Sequence, residues 1–118
     1  MVEVRATSQT EEAWGLCRLA VNGHAGAGPK GQDLVCAAVS ALVETLGSWV
    51  MENPEGTVCE SRVMLEEGYA LIEAITWRNK LPALTERFGL VEYGLKKIAE
   101  QYPEFVTFGN SQGERKEP

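Results

Sequence analysis

From position 34 the chain runs Leu-Val-Cys-Ala-Ala-Val-Ser-Ala-Leu-Val to position 43, apolar apart from Ser40 and stopped by Glu44. A helix made of these residues is apolar nearly all round, so the rest of the chain must supply surfaces that bury it on most sides. As an uninterrupted run it is too short to span a bilayer, which takes about 20 residues. No longer apolar run exists elsewhere, and no membrane partner is expected.

The covering surfaces are read from periodicity. Val2, Val4 and Ala6 alternate with Glu3, Arg5 and Thr7, the period of a half-buried strand. After a turn at residues 8–12, residues 14–21 form a second strand, antiparallel to the first. The central helix ends at Asn53-Pro-Glu-Gly56. Residues 57–65 and 69–76 then make a second hairpin across the Glu66-Glu67-Gly68 turn. In the last helix, residues 82–102, the apolar positions Leu84, Phe88, Val91, Leu95, Ile98 and Tyr102 fall three or four apart and form one stripe, continuous with Leu81 just before it. A strand at residues 105–108 closes the fold.

The order is ββαββαβ. It predicts one α+β domain over residues 1–110, a mainly antiparallel sheet with two helices packed on it. The polar tail, residues 111–118, is expected to be disordered. Trp14, Trp49 and Trp77 are read as packing residues.

The net charge of −6 argues against nucleic-acid or anionic-membrane binding and suits a basic peptide partner. Cys17, Cys36 and Cys59 make an odd count without a CxxC pair, and no signal-peptide pattern opens the chain. Free thiols in a reducing cytoplasm are therefore expected. Cys17 and Cys59 fall inside strand patterns and read as small core hydrophobes. A lone histidine with scattered cysteines fits no zinc site, so neither metal nor cofactor is expected.

Chemistry concentrates at residues 23–40. His24, the only histidine, precedes Cys36 by twelve residues, with a glycine-rich loop between them. Asp33 reads as the N-cap of a helix starting at Leu34, which puts Cys36 at the third helical position. There the free N–H groups and the dipole favour a thiolate. A strand–loop–helix turn brings the end of one element near the start of the next, so an imidazole at position 24 can reach the thiol as its base. Asp33 has a second possible role, orienting His24. Ser40, one turn after Cys36, either bonds back to the helix or serves the site. Gly26, Gly28 and Gly31 spell GxGxxG, and the competing reading is a non-enzymatic module whose loop binds an anion or peptide. No parallel βαβ unit is evident around that loop to complete a dinucleotide site.

Gly23-His24-Ala25-Gly26, then Gly31-x-Asp33-x-Val35-Cys36-Ala37-Ala38-Val39-Ser40-Ala41-Leu42, resembles the signature of the ribosomal-processing cysteine proteases. Residues 94–103, Gly-Leu-Lys-Lys-Ile-Ala-Glu-Gln-Tyr-Pro, resemble that family's last helix. The loop departs from the pattern, with Ala27, Pro29 and Lys30 where many members carry aromatic residues. The resemblance implies a homodimeric α+β enzyme that removes the N-terminal extension of the precursor of large-subunit ribosomal protein L27. It implies Cys36 as nucleophile, His24 as base, Asp33 and Ser40 in support, and residues 25–32 as a mobile segment over the substrate, with Gly23, Ala25, Gly26, Gly28 and Gly31 in the substrate loop. Backbone N–H groups near Val35 and Cys36, at the expected helix start, would hold the oxyanion.

Overall fold

The structure, a computed structural model, describes residues 1–23 and 30–112. Its elements are β1 (Val2–Thr10), β2 (Trp14–Asn22), α1 (Lys30–Glu52), β3 (Glu60–Glu66), β4 (Tyr69–Trp77), α2 (Leu81–Gln101) and β5 (Val106–Gln112), with a short 3-10 turn, Arg78–Lys80, before α2. The order ββαββαβ is the expected one.

The five strands make one sheet in the order β3-β4-β2-β1-β5. All pairs are antiparallel except β1 with β5. It follows that β2 and β3 run the same way with β4 between them, as do β4 and β5 with β2 and β1 between them. Each helix is thus the crossover between two parallel, non-adjacent strands, which requires a connection of a dozen or more residues.

Both helices cover the same face. Ala6, Leu19, Ile72 and Val63 are successive cross-strand partners under them, and Leu19 and Ile72 are almost wholly buried. From α2 come Leu81, Leu84, Phe88, Val91 and Leu95, the stripe read from the sequence. Tyr102 at its end is exposed. Val35, Cys36, Val39, Val43, Leu46 and Val50 face inward from α1. The opposite side of α1 is not covered: Leu34 is 72% exposed, and Ala37, Ala38 and Ala41 are exposed too. Burial on most sides was expected, and the alanines are why it is not needed, since they leave little apolar surface in water. Read over its whole Leu34–Glu52 length, this helix is apolar enough to cross a membrane by composition, with mean hydropathy 1.7. Its Val and Leu stripe lies instead in the core of the fold.

Four boundaries shift by more than one residue. β1 continues to Thr10, so the first turn shrinks to residues 11–13, closed by the Glu11 N–H donating to the Trp14 carbonyl at 2.8 Å. β3 starts at Glu60 rather than at residue 57. The side chain of Asn53, at φ 47°, clamps the connection by exchanging two 2.9 Å hydrogen bonds with the backbone of Val58. β5 runs to Gln112, so Ser111 and Gln112 belong to the sheet and not to a tail, and residues 113–118 lie outside the described residues. Finally, α1 begins at Lys30 instead of Leu34.

Cys59 is not a core residue. It is exposed, lying just before β3 with its Sγ 3.9 Å from Oγ1 of Thr76. The uncovered face of the sheet carries a row in which Glu73 accepts from both Arg18 and Arg62. Trp77 stands 60% exposed at the end of β4, where packing was expected. Trp49 does pack against the core and carries the Arg87 guanidinium over its ring.

Candidate active site

β2 delivers the chain to Gly23 and α1 takes it up at Lys30. Gly23 has φ 97°, and a Cβ there would lie 2.1 Å from the Met1 carbonyl oxygen, so no side chain fits at the residue before His24. Its N–H donates to the Gly68 carbonyl at 3.0 Å, tying the end of β2 to the tip of the β3–β4 hairpin. Gly68 has φ 82°, as the tight turn requires. His24, Ala25, Gly26, Ala27, Gly28 and Pro29 lie outside the described residues, and so does the His24–Cys36 geometry.

The earlier start of α1 corrects three expectations. Asp33 is inside the first turn and is not the N-cap. Cys36 is the seventh helical residue and not the third, about 9 Å along the axis from the helix start. The oxyanion donors expected near Val35 and Cys36 at the helix start therefore lie a turn inside the helix, where N–H groups ordinarily bond back along the ladder. The dipole effect fades within the first turn, so it acts weakly on Cys36 and the burden of holding a thiolate falls on neighbouring groups. Residues 30–32, expected in a loop, are helical, and Gly31 with them. The GxGxxG pattern therefore does not form a loop along its whole length.

Cys36 is 7% exposed, and that small surface opens into a cavity of about 560 Å³. Three components wall the cavity: Cys36, Ser40 and Glu44, spaced four apart on one face of α1; the hairpin residues 65–70; and Val2, Val21 and Gly23 at the sheet end. The thiol and the residue preceding His24 thus face one space. Ser40 is exposed to that space.

The other two thiols differ. Cys17 is buried in β2 and its pKa is pushed up to about 12, mainly by burial and also by the charge of Glu92 on α2, so it stays protonated at neutral pH. Cys59 is exposed, away from this cavity. Among the described residues no three His, Cys, Asp or Glu side chains gather in a way that could hold a metal ion.

Glu44, Glu66, Glu67 and Tyr69 are cavity residues that the sequence did not single out. Glu44 was legible in principle, eight residues after Cys36 and so on its face of the helix. The hairpin tip was not, because it reaches the site through tertiary pairing with Gly23.

Comparison with known proteins bears on the family and the fold. Residues 1–107 match the model of the family described as cysteine protease Prp. A ribosomal processing cysteine protease Prp from Mycoplasma pneumoniae is 30% identical over 91 residues, covering 77% of this chain and 84% of that protein. The crystal structure of SMU.848 from Streptococcus mutans superposes with a TM-score of 0.72 at 26% identity, over 96% of both chains. The ribosomal processing protease Prp from S. aureus, in complex with a substrate peptide, shares the fold with a TM-score of 0.67 at 20% identity, over 94% of this chain and 100% of that one.

Proposed function

The chain belongs to the Prp family of ribosomal-processing cysteine proteases, and we propose that it removes the N-terminal extension of the L27 precursor during ribosome assembly, using a Cys36–His24 dyad. A cysteine protease hydrolyses peptide bonds, so the enzyme reading stands over the non-enzymatic glycine-loop module. The observation that carries the dyad is the shared cavity, onto which both the Cys36 thiol and Gly23, the residue before His24, open.

In this mechanism the Cys36 thiolate attacks the scissile carbonyl. His24 protonates the leaving amine, giving an acyl-enzyme, then takes a proton from water as the water releases the acid. Because α1 starts a turn earlier than the sequence implied, the imidazolium supplies most of the charge that keeps the sulfur ionised. Thiol and imidazole titrate as a pair. Asp33 and Ser40 support the site, and Gly23, Ala25, Gly26, Gly28 and Gly31 belong to the substrate loop. The enzyme works as a homodimer in the cytoplasm, where cysteines stay reduced.

The test is to incubate the L27 precursor with wild-type, Cys36→Ala and His24→Ala proteins and weigh the products. Shortening at one bond by the wild type alone supports the proposal. An unshortened precursor with the wild type refutes the substrate assignment. Light scattering at micromolar concentration reads the dimer as twice the 12.9 kDa chain mass.

A further inference from the structure

We propose that the cavity beside Cys36 is a specificity pocket for a lysine or arginine side chain of the substrate peptide, held by Glu44, Glu66 and Glu67. This rests on the protease reading of the same site and adds what the site selects.

Among the side chains described, the charged ones lining the cavity are these three carboxylates. Among the described residues none of the three has an ion-pair partner, whereas Glu55, Glu73 and Glu100 are each paired with a cation. Two separate elements bring them together. Glu44 projects from the same face of α1 as Cys36 and Ser40, and Glu66 and Glu67 stand at the tip of the β3–β4 hairpin. The tip is pinned by the Gly23 N–H to Gly68 carbonyl bond, so the backbone that carries Glu66 and Glu67 is held beside the cavity. Like charges gathered around one space repel each other, and a bound cationic side chain relieves that repulsion. The chain's net charge of −6 draws a basic peptide in the same direction.

The geometry also gives a register. Glu44 lies eight residues beyond Cys36, about 12 Å along the helix. An extended peptide advances roughly 3.3 Å per residue. The basic side chain therefore sits three to four residues from the scissile bond, on one side of it.

A positional-scanning library of extended decapeptides, with Lys, Gln or Glu fixed at each position, tests this in two arms. Wild-type protein is assayed for cleavage, and Cys36→Ala protein for peptide retention. The expected result is a preference for Lys over Gln at one position three or four residues from the cut, lost at high salt. In the E44Q/E66Q/E67Q variant that preference falls about tenfold or more, chiefly through KM. Cleavage with no basic preference overturns the pocket and leaves the protease intact. Retention of Lys peptides without cleavage supports the pocket and removes the protease reading. Absence of any basic preference in both arms overturns the pocket even if the triple variant fails to fold, because the wild type alone reads it.

Discussion

Cys17 and Cys36 are both buried, on neighbouring elements of one core, yet their surroundings differ. Cys17 points from the middle of the sheet into the apolar layer under α2, with Glu92 nearby, and both burial and that carboxylate hold its proton on. Cys36 has one open side, a cavity shared with the residue before the only histidine. Burial by itself therefore says little about a thiol. What surrounds its open side decides whether it is packing or a nucleophile.

The sharpest way to break the comparison is to remove each sulfur in turn. Cys36→Ala is expected to lower peptide cleavage by on the order of 10⁴-fold or more. Cys17→Ala should instead cost about 1 kcal/mol of stability and leave kcat near wild type. Chemical denaturation alongside a cleavage assay reads both, and equal loss of activity in the two variants would erase the distinction. Next in size is Gly23→Ala. A methyl group driven onto the Met1 carbonyl at positive φ costs about 1–3 kcal/mol. It also displaces the residue carrying the chain into His24, so kcat/KM falls with stability.

A smaller effect sharpens the Cys17 side. Burial raises the Glu92 pKa to about 7 from 4.5. The folded state thus holds this proton more tightly than the unfolded one, and ionising Glu92 opposes folding. Its contribution falls as pH rises from about 4.5 through 7, and the penalty is fully present above that. Glu92→Gln should therefore raise Tm at pH 8 and leave it unchanged at pH 4. An equal shift at both values would mean that charge is not the cause. Smallest of all is Arg62→Ala, which removes an exposed partner while Arg18 still holds Glu73, and should cost less than about 1 kcal/mol in thermal unfolding.

Much of the fold was legible because its signals are local. The alternation of Val2, Val4 and Ala6 and the stripe from Leu84 to Leu95 each state a period, and each buries the face it names. The start of α1 was misread because Lys30-Gly31-Gln32-Asp33 looks like loop and cap, glycine being a poor helix former and aspartate a good cap. Those preferences are small, and the long apolar segment behind them carries the helix through. The parallel pairing of β5 with β1 was invisible because it joins segments about a hundred residues apart, and it draws polar Ser111 and Gln112 into the sheet. At the site, Cys36 was singled out from its motif, and the structure places it on the cavity wall. Its acidic surroundings were missed because Glu66 and Glu67 look like an ordinary turn until Gly68 meets Gly23.

The most direct measurement is site-resolved alkylation by iodoacetamide across pH, read by mass, in wild-type and His24→Ala proteins. Cys36 should react rapidly well below the ~8.5 of an ordinary thiol, more slowly in the variant, with Cys17 inert throughout. If Cys36 reacts no faster than exposed Cys59 near pH 6.5, or is indifferent to the loss of His24, the two buried thiols are alike and the account fails.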